Sequence, residues 1–198
     1  MSTSDKKQTA GSFVVRQTRR LACSNSRFDV YLDDIETVDG RGIRDYLVVA
    51  PRVRNANLVT GVAVLPVHEG KFGLLRIYRH AIQDFCWEIP RGFVDAGEDD
   101  VVSARRELVE ETGLDCGDDG LISLGFMAPE AGILSARIHL FAARHCVPSR
   151  SFRPEEFGHH EFHMLDARRV EVMIAASEIE DPSTLVACCR YLRGPGRR

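Results

Sequence analysis

The stretch Gly92–Leu114, "GFVDAGEDDVVSARRELVEETGL", decides how the rest of this 198-residue chain is read. It crowds Glu107, Glu110 and Glu111 together, with Glu98 just upstream. Carboxylates about 5 Å apart repel by roughly 3 kcal/mol at an effective dielectric near 20, so the crowding calls for a compensating charge. From Asp100 to Thr112, Val101, Ala104 and Leu108 recur at spacings of three and four, the period of an amphipathic helix, and Gly113 supplies its C-terminal stop. On that helix Glu107 and Glu111 lie one above the other and Glu110 follows Glu107 by three, so all three converge on one patch. Arg106, four before Glu110, can brace it. Oxygen donors packed in this way suit a hard divalent cation, Mg²⁺ with Mn²⁺ as the alternative, held by a few carboxylates together with substrate phosphates and water. A solvated charged face has the same spacing.

Working outward, "GVAVLPV" and "KFGLLRIYRH" flank the turn "HEG" and are nearly continuous apolar runs, which predicts strands buried on both faces. "CWEIP" reads as a short strand stopped by Pro90; "LISLGFMA", "ARIHLFAARHC" and "EFHML" read as further strands. Near the C-terminus one helix begins at about Asp166, with Val170, Met173 and Ile174 on one face. A second has Asp181 as cap, Pro182 as first residue, and Leu185, Val186, Cys189 and Leu192 as its buried stripe. Ahead of the core, "RFDVYLDDIETVDGRGIRDYLVVAP" holds two β-rich runs around a hairpin turn. The pattern is α/β: a mixed sheet with helices packed on it, a sandwich over 51–193, plus a small N-terminal antiparallel sheet over 12–50. Residues 1–11 and 194–198 lack periodic apolar content and are expected to be tails.

A composition of 44% hydrophobic residues supports a real core, and a net charge of -3 offers no global attraction for nucleic acid or an anionic membrane. An anionic substrate must therefore be captured locally. The six cysteines form no CxxC pair, which leaves neither a zinc site nor a redox motif. No stretch approaches the ~18 apolar residues of a membrane span and the first residues carry no apolar signal region, so a cytoplasmic location is expected.

Gly92, five residues, Glu98, seven residues, then Arg106, Glu107, Leu108, Val109, Glu110, Glu111, Thr112, Gly113 and Leu114 together resemble the Nudix hydrolase family. The family's box, GX5EX7REUXEEXGU, is matched at every specified position, and the order of strands and helices follows the family from about Phe28 to Leu192. The resemblance implies that Glu107 and Glu111 bind the metal, with Glu110 a further ligand or a water-positioning group and the Arg91 carbonyl a backbone ligand. It implies that Gly92, Glu98, Arg106 and Gly113 hold the loop and helix in shape. For Glu98, which precedes the helix, physics agrees: a carboxylate there suits the N-terminal end of the helix dipole.

The box does not name the substrate. Pro129, fifteen residues beyond Leu114, with "YRH" and "WEIPRG" upstream, resembles the ADP-ribose pyrophosphatase branch, which implies a nucleoside diphosphate sugar cleaved to a nucleoside monophosphate and a sugar phosphate. Other nucleoside diphosphate derivatives, or a sensor that binds without cleaving, are the alternatives. Arg79 is a candidate for the substrate phosphates, because a planar guanidinium can clamp them bidentately. The Arg91 side chain is a second candidate, against plain solvent exposure. Similarity to the branch also implies a homodimer and a catalytic glutamate in the loop "SFRPEEFGHH", Glu156 with Glu155 as alternative. The nearby His159, His160 and His163 meet no fixed ligand spacing and are not expected to form a metal site.

Overall fold

The computed structural model describes residues 14–55, 57–117, 119–154 and 157–194. The chain divides into two compact units, one made of the N-terminal segment to Arg52 together with Glu130–Ala136, the other of Val53–Pro129 and Arg137 onward. The expected tails, Gly194 excepted, lie outside the described residues.

In the first unit β1 (Val14–Ser24), β2 (Phe28–Thr37) and β3 (Gly42–Pro51) form an antiparallel sheet in that order. The pair β2 and β3 is the hairpin expected around "DGRG"; β1 is an additional strand whose "RQTRR" gives no apolar alternation to read. Arg19 on β1 grips Asp33 on β2 through Nε and Nη2 at 2.8 and 2.6 Å. The segment 130–136 closes on β3: the Val49 amide donates to the Ile133 carbonyl at 2.8 Å, the Ser135 amide to the Val49 carbonyl at 2.8 Å, and the Tyr46 hydroxyl to the Gly132 carbonyl.

In the second unit β4 (Val59–His68), β5 (Lys71–Arg79), β9 (Leu121–Met127), β10 (Arg137–Arg144) and β12 (His159–Asp166) form the sheet β12-β5-β4-β10-β9. The short strands β6 (Asp84–Glu88) and β7 (Arg91–Phe93) pair with β5 and β4. β4 and β10 run parallel while the other pairings are antiparallel, so the sheet is mixed as expected. A two-stranded ribbon, β8 (Leu114–Asp115) with β11 (Val147–Pro148), lies outside it.

Strand alternation distributes the core between two faces. Ala63, Leu65, Leu140 and Ala142 turn one way, onto Val170 and Met173 of α2 (Ala167–Ala175) and Ala187 and Cys188 of α3 (Pro182–Arg193). Val62, Val64, Phe141 and Ala143 turn the other way, onto Ala104 and Leu108 of α1 (Asp100–Thr112). This is the α/β/α sandwich, and it explains why β4 is apolar at nearly every position: both its faces are covered. Burying a side chain such as Leu108 contributes about 1.5–3 kcal/mol, which anchors the acidic helix to the sheet by its apolar stripe. Asp99 caps α1 by accepting the Val101 amide at 2.8 Å. Gly113 ends it in the left-handed region at φ 73°, where a Cβ would also stand 2.4 Å from the Arg150 carbonyl oxygen. Among the described residues no helix is long and apolar enough to cross a membrane.

Candidate active site

With its apolar stripe fixed to the sheet, α1 turns Glu107 and Glu111 toward β7. Both are buried, at 5% and 4% exposure, while Glu110 on the flank keeps 47% of its side chain exposed. The approach between helix and strand is too close for a side chain on β7: a Cβ on Gly92 would lie 2.2 Å from the Glu107 carboxylate. The box glycine is therefore a steric requirement of the buried carboxylate.

Arg106 holds this corner together. Its Nη1 donates to Glu107 Oε1 at 2.6 Å and to Glu110 Oε2 at 3.2 Å; its Nη2 donates to the Phe93 carbonyl at 3.1 Å and to Glu98 Oε2 at 3.2 Å. Glu98 also accepts the Ser103 hydroxyl at 2.6 Å, and that bond, followed by Arg106, holds its carboxyl below the usual range. Burial works against the Arg106 charge, but its hydrogen bonds to Glu98 and Glu107 outweigh it and raise the guanidinium's pKa. Glu98 and Arg106 thus tie loop to helix.

Glu107 is driven the other way. Burial first, and then repulsion from Glu111, pushes its carboxyl up to about 7 despite the Arg106 contact. Glu111 is oriented on both oxygens: Oε2 accepts the Arg91 amide at 2.7 Å, and Oε1 lies 3.2 Å from His159 Nε2. His159 opens β12, where the Gly158 carbonyl accepts the Tyr78 amide at 2.8 Å. The pairing of His159 with Ile77, followed by a register shift before Glu161, separates His159 from the rest of the strand. Its side chain is buried, whereas His160 and His163 are exposed and pair with Glu161. Sequence spacing dismissed all three histidines together; the separation of His159 from its neighbours comes from the bulge, which leaves no mark in spacing.

Arg79 and Arg91 converge on Glu88, which is 1% exposed. Arg79 binds it through Nε at 2.7 Å and Nη2 at 2.6 Å, and Arg91 Nη2 binds it at 2.7 Å. Arg91 Nη1 reaches Asp181 Oδ1 at 2.7 Å. Asp181 caps α3 through the Thr184 amide at 2.8 Å, and the Thr184 hydroxyl in turn receives the Ile89 amide at 3.0 Å. The Arg91 side chain is thus not simply solvated: it joins the strand ahead of the box to the N-terminus of α3. The sequence marks Asp181 only as a helix cap and does not mark Glu88, although an acid between Trp87 and Ile89 in an apolar strand is itself the signal of a buried ion pair. Pro129 stands in the turn after β9. Glu155 and Glu156 lie outside the described residues. Among the described residues no three acid, histidine or cysteine side chains are already gathered into a metal cage; Glu107 and Glu111 are gripped instead by Arg106, His159 and the Arg91 amide.

The NUDIX domain family model matches residues 57–184. The chain is 33% identical over 114 residues to the methanol dehydrogenase activator of Bacillus methanolicus, covering 57% of this chain and 56% of that protein. It is 33% identical over 122 residues to the CMP-5'-(N-acetyl-N-hydroxy-3-aminopropyl)phosphonate hydrolase of Streptomyces rubellomurinus, covering 60% and 54%. To the ADP-ribose pyrophosphatase of Bacillus subtilis it is 31% identical over 121 residues, covering 61% and 60%. The match therefore spans little more than half the length of these relatives. The fold matches the crystal structure of an ADP compounds hydrolase with a TM-score of 0.76 at 18% identity, over 94% of this chain and 97% of that one. The box, the sandwich that positions it and the family match over 57–184 establish that the chain belongs to the Nudix family.

Proposed function

We propose that the chain is a pyrophosphohydrolase that depends on a divalent cation, Mg²⁺ or alternatively Mn²⁺, and cleaves ADP-ribose or a related nucleoside diphosphate sugar to a nucleoside monophosphate and a sugar phosphate. The observation that carries this reading is the pair of buried carboxylates, Glu107 and Glu111, on one helix face against a glycine with no room for a side chain. A carboxyl pushed up to about 7 marks a place where negative charge lacks compensation, and hard oxygen donors select a hard cation. The residues present therefore fit such an ion.

In this reading Glu107 and Glu111 hold the cation, with Glu110 and the Arg91 carbonyl completing the protein's donors. Bound there, a divalent cation offsets the diphosphate charge and polarises the phosphorus to be attacked. Glu111 is presented by the Arg91 amide and His159; Glu107 is presented by Arg106. Arg79 is oriented by Glu88 along its Nε and Nη2 edge and contacts the substrate phosphates through Nη1. The Arg91 side chain supports that contact by holding Glu88 and Asp181. Glu156, with Glu155 as alternative, takes the proton from the attacking water, because carboxylates engaged with a cation are weak bases.

The nucleoside diphosphate sugar assignment is supported by the name of the Bacillus subtilis relative. The Streptomyces relative is named for a CMP-linked phosphonate, which favours other bases and leaving groups as a second reading. The proposal extends to a homodimer joined through the N-terminal sheet: Val15, Leu21, Ile43 and Leu47 are exposed on a three-stranded sheet too small to bury both faces alone. A panel of nucleoside diphosphate derivatives with Mg²⁺, scored by released monophosphate, tests the substrate; preference for ADP-ribose supports the first reading and preference for a cytidine derivative the second.

A further inference from the structure

Away from the Nudix carboxylates, a serine, a histidine and an aspartate are joined by two hydrogen bonds in series. Ser123 Oγ lies 2.8 Å from His139 Nε2, and His139 Nδ1 lies 3.0 Å from Asp100 Oδ2. The direction of these bonds follows from the chemistry of the groups. An ionised carboxylate only accepts, so Nδ1 carries a ring proton; in the neutral ring Nε2 is then the acceptor, to which Ser123 donates its hydroxyl hydrogen. The Gly125 amide donates to the same Oγ at 3.2 Å, so the oxygen is held between a base and a donor.

The ring that links them is fixed. Phe126 and Phe141 flank His139 with centroids 4.2 and 4.1 Å away and planes tilted by 34° and 37°. His139 and Asp100 keep only 13% and 19% of their side chains exposed, while Ser123 is exposed on β9, an edge strand of the sheet. The register shift opposite Leu140 and Phe141 brings the Gly125 amide round to Ser123. Asp100 begins α1 and the Nudix ligands lie seven and eleven residues further on, about 10 and 16 Å along the helix at 1.5 Å per residue. The two constellations are therefore separate.

We infer that Ser123, His139 and Asp100 form a second reactive centre, in which Ser123 is a nucleophile toward small activated carboxylic esters that reach its exposed side chain on β9. The Oγ proton passes to His139 Nε2 as Oγ bonds to the acyl carbon; the bond to the leaving alkoxide breaks, and the proton on Nε2 passes to that oxygen. Water then cleaves the acyl-serine by the same proton route and restores the hydroxyl. Asp100 keeps the histidine in the reactive tautomer and stabilises its charged form. An oxyanion on a carbon bonded to Oγ falls within reach of the Gly125 amide, the kind of donor whose removal from an acyl-transfer site typically costs about 10²–10³ in rate.

The test is active-site labelling of the full chain with a fluorophosphonate, in which Oγ bonds to phosphorus and fluoride leaves, read by intact mass and peptide mapping. The expected result is one adduct at Ser123, none there in Ser123→Ala, and labelling at least tenfold slower in His139→Gln and threefold slower in Asp100→Asn. Hydrolysis of p-nitrophenyl acetate should fall in the same order. Ser123→Ala should keep its thermal midpoint and its turnover of nucleoside diphosphate substrates, which separates this centre from the Nudix reaction. If His139→Gln unfolds, the Asp100→Asn comparison decides. No adduct at Ser123 in the folded wild type, or equal rates in the wild type and the folded histidine or aspartate variant, overturns the inference.

Discussion

His159 Nε2 lies 3.2 Å from Glu111 Oε1, with both side chains sealed from solvent. With Glu111 as the proposed cation ligand, a ring N–H directed at its carboxylate fixes its rotamer, and loss of such an outer contact typically costs 10–100-fold in metal affinity. His159→Ala is expected to weaken Mn²⁺ binding, read by the loss of the free-ion paramagnetic resonance signal, by about tenfold or more. Saturating metal should restore much of the turnover. Unchanged Mn²⁺ affinity would remove His159 from the site.

Gly92→Ala places a methyl group where the Glu107 carboxylate now stands, 2.2 Å from its carbon. Backbone and α1 must separate to admit it. Overpacking of this kind typically costs about 1–3 kcal/mol, and the expected outcome is a lowered denaturation midpoint together with loss of metal affinity. A variant with wild-type stability and metal binding would show that the helix and β7 are not held this closely.

Much of this was legible in the sequence because it is written as period. The spacing of Ala104 and Leu108 with Gly113 beyond marks α1, although Val101, read into the same stripe, is exposed at the helix start; the apolar run of β4 announces a strand covered on both faces. Pro182 after Asp181 marks the start of α3. What stayed hidden depends on contacts between residues far apart in sequence. Glu88 finds Arg79 and Arg91 only once β6 lies on β5, and Arg91 finds Asp181 only through the packing of α3. β1 escaped because its run of polar and cationic residues is stabilised by cross-strand pairs such as Arg19 with Asp33. The segment 130–136, expected within the larger domain, groups with the N-terminal unit through backbone bonds that no side-chain pattern records.

Glu88→Gln should be strongly destabilising. Removing the acid leaves two guanidinium groups facing a neutral amide in a buried setting, and breaking a buried ion pair on one side typically costs about 3–5 kcal/mol. Chemical denaturation measures it. A loss below about 1 kcal/mol would mean that solvent already screens the cluster.

In metal-free protein, Glu107 sets a pH dependence with a definite sign. Its folded pKa of about 7 lies above the ordinary carboxyl value of 4.5, so the folded state holds more protons than the unfolded state between these limits. Stability therefore falls as pH rises from about 4.5 to about 7 and levels off above. Thermal melts in chelator should show this decline in the wild type and less of it in Glu107→Gln. An equal decline in both assigns it to another group.

The proposed cation site at Glu107 and Glu111 is tested most directly by comparing wild type with Glu111→Gln in Mg²⁺ and saturating ADP-ribose, following AMP and ribose phosphate. The expected result is release of both products by the wild type, its abolition by chelator, and a fall in kcat of about 10² or more in a Glu111→Gln protein that remains folded. Wild-type turnover by Glu111→Gln, or cleavage that continues in excess chelator, would contradict it.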